Sequence, residues 1–215
     1  MIIKSVFADG YKNLSDVDIR PHERMNIFCG DNAQGKTNLI EAVWLMTGCR
    51  SFRGTRDRDF IGFEKEKASI RLSFQDSFRS QDISFEVRKN NIREKNIALN
   101  GVKVPLLSRL FGSLKCVVFT PEDLFIAKGS PDNRRSFVDL SSSQLKKSFV
   151  YALNKYENLL SQRNALIKKI NFTGSGSADD LDIWDVQLAK TGAYISVIRD
   201  TCLLYTSPSP RDRTR

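Results

Sequence analysis

Residues Gly30-Asp31-Asn32-Ala33-Gln34-Gly35-Lys36-Thr37 constrain this chain more than any other stretch. They fit the phosphate-binding pattern G-x-x-x-x-G-K-[ST] at every fixed position. The flanks agree with the pattern. Met25-Asn26-Ile27-Phe28-Cys29 reads as a short buried strand. Leu39, Ile40, Ala42, Val43, Leu45 and Met46 then recur at helical spacing, and Gly48 is placed to close that helix. A loop of glycine and small residues lets main-chain N–H groups converge on an anion. The helix opening at Lys36 adds the positive end of its dipole. In such a loop Lys36 takes the β- and γ-phosphates, and the Thr37 hydroxyl takes Mg²⁺. The candidate cofactor site is therefore Gly30, Asp31, Asn32, Ala33, Gln34, Gly35, Lys36 and Thr37, with ATP and Mg²⁺ as the ligand pair.

The charge balance narrows the partner. The net charge is +9 and the pI about 9.5, which favours an acidic partner. Nucleic acid ranks first and an anionic membrane surface second. No apolar run approaches the ~20 residues that span a bilayer, and Lys4 and Asp9 interrupt any leader pattern at the start. Cys29, Cys49, Cys116 and Cys202 are far apart and contain no C-x-x-C pair. They read as reduced thiols of a cytoplasmic protein, neither zinc ligands nor a disulfide framework. The one histidine, His22, lies in a polar turn beside Pro21 and reads as a surface residue.

Along the chain, Ile2 to Phe7 and Val17 to Ile19 are expected strands, joined by a turn at Gly10-Tyr11-Lys12-Asn13. After Gly48 comes an arginine loop holding Arg50, Arg53, Arg56 and Arg58, with Phe52 among them. Its functional reading is contact with nucleotide phosphates or a DNA backbone; its bland reading is a solvated basic loop. Period-two alternation at Ile70, Leu72, Phe74 and at Ile83, Phe85, Val87 marks half-buried antiparallel strands. Asn100-Gly101 marks a hairpin turn between Leu99 and Val102. Pro105 to Phe111 reads as a short helix and Cys116 to Phe119 as a buried strand. Thr120-Pro121-Glu122-Asp123 imitates the acidic Mg²⁺ motif of NTPases, but Pro121 turns the chain away from that geometry.

From Ser130, an expected N-cap followed by Pro131, the pattern is helical. One seam runs Leu145, Phe149, Ala152, Tyr156, Leu159, Arg163, Leu166, Ile170. A second runs Leu181, Trp184, Leu188, Thr191, Ile195, Ile198, Cys202. A flexible connection over residues 173–178 would let the two pair as an antiparallel hairpin. Two ordinary core helices would give the same pattern. The pattern stops after Cys202, and residues 203–215, with two Ser-Pro steps, resemble a translated adapter and are set apart from the fold. The expected organisation is an ATPase lobe over 1–120, a helical lobe or arm over 121–202, and a non-native tail over 203–215.

Several stretches together resemble the RecF family of bacterial recombination mediators. They are Tyr11-Lys12-Asn13-Leu14, Gly30 to Glu41, Gly48-Cys49-Arg50-Ser51-Phe52-Arg53, Phe119-Thr120-Pro121-Glu122-Asp123-Leu124, Lys128-Gly129-Ser130-Pro131 with Arg134 to Asp139, and Gln162-Arg163-Asn164-Ala165-Leu166. The resemblance covers about residues 1–202. It implies an α/β fold: a P-loop ATPase head lobe of the ABC/SMC type, with a mixed sheet containing antiparallel strands, plus a helical arm. It implies an ATP-dependent homodimer that binds duplex and single-stranded DNA junctions. With RecO and RecR as partners it would help load RecA in gap repair, replication restart and the SOS response. The family's signature motif and its catalytic carboxylates have no counterpart here. The chain thus resembles an N-terminal fragment, expected to bind ATP weakly and not to hydrolyse it. The main alternative from the phosphate loop alone is a P-loop kinase acting on a small molecule, although no lid-like arginine helix follows the loop. A GTPase is approached only by Asn154-Lys155-Tyr156-Glu157, which lies mid-helix with the wrong acid.

Overall fold

The computed structural model describes residues 1–173 and 178–206. The chain divides into two units, Met1–Val118 and Phe119–Arg215. The first is built on an antiparallel sheet in the order β2-β1-β3-β4-β5-β6. Its strands are β1 (Ile2–Asp9), β2 (Val17–Ile19), β3 (Lys67–Gln75), β4 (Ser80–Arg88), β5 (Asn91–Leu99) and β6 (Val102–Val104). Alternation of side chains sorts each strand into an inner and an outer set. Ala68, Ile70, Leu72 and Phe74 of β3 are buried, and so are Ile83, Phe85 and Val87 of β4. Residue pairs such as Ile70↔Phe85 and Leu72↔Ile83 set these two rows side by side. The inner face packs with Leu39, Ala42 and Leu45 of α1 (Lys36–Leu45), and with Phe60, Leu110 and Leu114.

The turns follow the chemistry of their residues. Asn100 and Gly101 have φ of 52° and 78°, the pair of positive values that a tight hairpin turn needs. Gly10 has φ 67°, and a Cβ there would lie 2.1 Å from the carbonyl oxygen of Lys67. Only glycine allows β1 to leave the sheet so close to β3. Gly48, expected to cap α1, stands two residues beyond the cap, which is Met46. Its φ is 90°, and a Cβ would meet the Leu107 carbonyl oxygen at 2.7 Å. The short helix expected at 105–111 is a 3₁₀ turn, Leu107–Leu110.

Two expected strands do not form. Met25–Cys29 and Cys116–Phe119 belong to no strand and make no ladder among the described residues. Met25, Ile27, Val117 and Phe119 are largely exposed. An apolar run has strand character only when a neighbour takes its main-chain hydrogen bonds, and no strand lies alongside either run.

The second unit is helical. After a 3₁₀ turn at Pro121–Asp123 come α2 (Leu124–Lys128), α3 (Pro131–Leu145), α4 (Lys147–Thr173) and α5 (Asp182–Thr206). Asp123 accepts from the Thr120 N–H at 2.6 Å and from its hydroxyl at 3.0 Å. It caps a turn, as the proline predicts, and does not stand at a strand end. Ser130 is the N-cap of α3, with Pro131 in the first turn. The 27-residue α4 extends about 40 Å. It runs antiparallel to α5, because Ser148 meets Tyr194 at one end and Arg163 meets Asp185 at the other. Phe149, Ala152, Leu159, Thr191, Ile195 and Ile198 are buried along the seam, and Tyr156 packs against it. Leu145 is 59% exposed and leaves the expected seam, because the chain breaks at Lys146 between α3 and α4. Asp139 of α3 receives a bidentate pair from Arg199 of α5 at 2.7 and 2.8 Å. Helix α5 runs four residues beyond Cys202, the last position of the expected seam, to Thr206. Residues 207–215 of the expected tail lie outside the described residues, as do 174–177 of the expected connection.

Candidate nucleotide-binding site

The eight-residue loop leads directly into α1. Gly35 stands at the N-cap with φ 94°, and its carbonyl accepts the first helical bond from the Leu39 N–H at 2.9 Å. Gly30 and Ala33 also have positive φ, 148° and 65°. Alternating positive and negative φ turns successive N–H groups toward one concavity, the geometry of an anion nest. Gly35 is required twice over. A Cβ there would lie 2.8 Å from Leu14 Cδ2 and 2.9 Å from Asn13 Oδ1.

Lys36 folds back over the loop. Its Nζ donates to the carbonyl oxygens of Gly30 and Asp31, both at 2.6 Å. Thr37 is exposed at the first turn of α1. The cation, a hydroxyl and a helix N-terminus thus lie within one short stretch, a donor set that fits a polyphosphate with a bound divalent ion.

Residues distant in sequence hold the loop. Asn13 Nδ2 donates to the Ala33 carbonyl at 2.6 Å. Asn38 Nδ2 donates to Asn13 Oδ1 at 2.7 Å, and Arg53 Nη1 donates to Asn38 Oδ1 at 3.0 Å. Of the four arginines singled out in the sequence, Arg53 is the one this chain of bonds joins to the loop. Arg58 pairs with its neighbour Asp59 at 3.5 Å. Arg50 and Arg56 are exposed; the Arg50 carbonyl accepts from Trp44 Nε1 at 2.9 Å, and the Arg56 carbonyl from the Asp59 N–H at 2.9 Å.

Sequence reasoning missed Glu41. It is fully buried on α1. Lys12 Nζ donates to its Oε2 at 2.5 Å, and Thr55 Oγ1 to its Oε1 at 3.1 Å. The Ser51 hydroxyl also donates to Oε1. Lys12 bonds Thr55 Oγ1 as well, at 3.0 Å. One carboxylate therefore ties the turn after β1, helix α1 and the arginine loop together. The available signal was a lone acid between Ile40 and Ala42, on a helix otherwise read for its apolar face. Tyr11 is buried beside this cluster, and its hydroxyl finds no hydrogen-bond partner among the described residues. Burial, and then the Glu41 charge, push its phenol well above the usual range. Burial likewise pushes the Cys49 thiol up to about 11. His22 is exposed, as expected. Among the described residues, no group of three or more His, Cys, Asp or Glu could hold a metal ion. Among the described residues no helix is long and apolar enough to cross a membrane.

The family model described as "AAA domain" matches residues 7–187. The DNA replication and repair protein RecF of Alkaliphilus oremlandii (strain OhILAs) is 37% identical over 199 residues, covering 93% of this chain and 53% of that protein. RecF of Lachnospira eligens is 39% identical over 196 residues, covering 91% of this chain and 53% of that protein. The chain spans about half the length of the curated relatives it matches. Among solved structures, the recombination mediator protein RecF with ATP in the RecFOR pathway superposes with a TM-score of 0.86 at 35% identity, over 94% of this chain and 54% of that one. A second structure of that mediator gives 0.82 at 33% identity, with the same coverage. The α/β head-lobe architecture expected from the sequence is the fold of this lobe. The chain belongs to the AAA-domain family, and within it its likeness is to RecF.

Proposed function

We propose that this chain is the nucleotide-binding lobe of an ATP-dependent DNA replication and repair protein. The observation that carries the reading is Lys36. Its ammonium lies over the carbonyls of Gly30 and Asp31 at the N-terminus of α1, with Thr37 exposed beside it. On this reading the loop from Gly30 to Gly35 wraps the phosphates, and Lys36 leaves its two carbonyls to meet the β- and γ-phosphates. Thr37 offers its hydroxyl to Mg²⁺. Arg53, held by Asn38, stands ready for a further phosphate. In the whole protein, on this reading, two heads close on DNA around the bound ATP. The +9 balance supports a polyanionic partner, and the relatives' naming as DNA replication and repair proteins supports DNA. Partnership with RecO and RecR, a preference for single-strand–duplex junctions and help in loading RecA are proposed for the whole protein in the cytoplasm. The buried Glu41 is already engaged by Lys12, Ser51 and Thr55. It is given no hydrolytic role, and the chain is expected to bind ATP without turning it over.

The test is a titration of the chain with a fluorescent ATP analogue and Mg²⁺. Lys36→Ala should weaken binding by more than about tenfold, the equivalent of one charge-assisted contact, with the circular dichroism spectrum unchanged. Competition by ATP should exceed competition by GTP. Equal binding by wild type and Lys36→Ala would remove the proposal. Phosphorylation of an added small-molecule acceptor would favour a kinase instead.

A further inference from the structure

The outer face of the antiparallel sheet holds a groove of about 520 Å³. Strand register decides what lies on its floor. Phe7, Arg71, Ser84, Ala98 and Lys103 face one another in turn across β1, β3, β4, β5 and β6. Arg71 and Lys103 are exposed, and neither makes an ion pair among the described residues. Three strand spacings separate them, about 14 Å, with only the small Ser84 and Ala98 between. The acids of the neighbouring row through Ser69 are already matched. Asp9 pairs with Lys65 at 3.3 Å, and Glu86 with Arg88 at 3.0 Å and Lys67 at 3.8 Å. The row from Phe7 to Lys103 therefore carries two unpaired cations; Asp18 of β2 stands opposite Phe7 at its far end, and Asp82 in the row on the other side accepts a hydrogen bond from Ser73. At one end of it the Arg71 guanidinium lies 4.3 Å from the Phe7 ring centroid. A guanidinium stacked on a ring still offers its second flat face.

We propose that this groove binds single-stranded nucleic acid, with phosphates on Arg71 and Lys103 and one unpaired base stacked on the Arg71 guanidinium. A cationic track beside a stacking plane suits a single strand, because every base has a π-face and an unpaired base is free to use it. A duplex keeps its bases inside. An acidic peptide would meet the cations but leave the stack unused. The inference rests on the DNA-binding reading above and names a surface for it, apart from the phosphate loop and the arginine loop.

The experiment follows the anisotropy of a fluorescein-labelled oligothymidylate titrated with the whole chain at several salt concentrations. The double variant Arg71→Ala, Lys103→Ala should lower affinity about tenfold, the loss of one stacked base. It should also reduce the log–log salt slope by about 1.4, the share of two phosphates on a single strand. Arg71→Lys should keep most of the slope and still lose affinity. Both side chains are exposed, so the circular dichroism spectrum should not change. Unchanged affinity in the double variant overturns the proposal. So does equal competition by polyglutamate, which would mark an acidic-peptide site, or equal binding of the duplex form. If Arg53→Ala, Arg56→Ala weakens binding while the groove variant does not, the DNA-binding reading stands and the groove fails. If the wild-type chain binds no oligonucleotide, both fail.

Discussion

Glu41→Ala is the substitution that tests the architecture of the site most directly. The carboxylate is fully buried, and the Lys12 side chain opposite it is 14% exposed. Removing one member of a buried ion pair costs about 3–5 kcal/mol, because the other charge is left without compensation. The hydroxyls of Ser51 and Thr55 lose their acceptor as well. A loss of about 4 kcal/mol is a large share of the roughly 5–15 kcal/mol that holds a domain folded. It should lower Tm by more than about 15 °C for a unit of this size. Urea unfolding followed by tryptophan fluorescence reports it, since Trp44 sits one turn from Glu41. Lys12→Met alone should cost about as much, by stranding Glu41. The pair Glu41→Leu, Lys12→Met should recover most of the loss, because a buried ion pair can be replaced by apolar groups of similar volume. A cost under about 1 kcal/mol for Glu41→Ala, or strictly additive costs in the double variant, would refute the account of Glu41 as the tie between the three segments.

Other outcomes are expected from the same structure. Gly35→Ala should destabilise by about 1–3 kcal/mol in urea, since φ is 94° and the new methyl meets Leu14 and Asn13. It should also weaken nucleotide binding, and wild-type behaviour in both assays would contradict the geometry of the loop. Tyr11→Phe should be neutral or stabilising by up to about 1 kcal/mol in thermal unfolding, because it deletes a buried hydroxyl without a partner. Iodoacetamide at pH 8 should modify exposed Cys29 well before Cys49 or Cys116, whose thiols burial pushes up to about 11. Mass spectrometry of a time course reads the order. These thiols stay protonated in the folded state while the unfolded chain ionises near 9.0. Stability should therefore be untouched below about pH 9 and decline as pH rises from 9 toward 11. Arg199→Ala should cost about 1 kcal/mol in the helical unit, since its partly exposed pair with Asp139 is bidentate.

Much of the fold is legible before any coordinates. Ile70, Leu72 and Phe74 announce β3, Asn100-Gly101 announces the hairpin, and Phe149, Ala152 and Leu159 announce the seam of α4. The misreadings share a cause. Residues 25–29 and 116–119 have the composition of buried strands, yet make no ladder among the described residues, and Met25, Ile27, Val117 and Phe119 lie exposed. Composition says what a segment would gain by pairing; it does not supply the partner. Leu145 keeps helical spacing with Phe149, but the break at Lys146 turns it out to solvent. Glu41 went unnoticed because an acid on a helix is ordinarily solvated, and only the approach of Lys12, Ser51 and Thr55 makes burial affordable.

The sequence alone determined the phosphate loop, the positive balance, the alternation of the sheet and the spacing of the helical seam. Apart from the charge balance, which is a sum over the whole chain, each is written in residue types two to eight positions apart, where covalent geometry translates spacing into direction. Tertiary structure decided which arginine joins the loop, that Asn13 clasps Ala33, that Glu41 is sealed among three segments, and that Arg71 and Lys103 share one row of the outer face. Those are meetings between residues tens of positions apart, and only the folded path of the chain sets the distance between them.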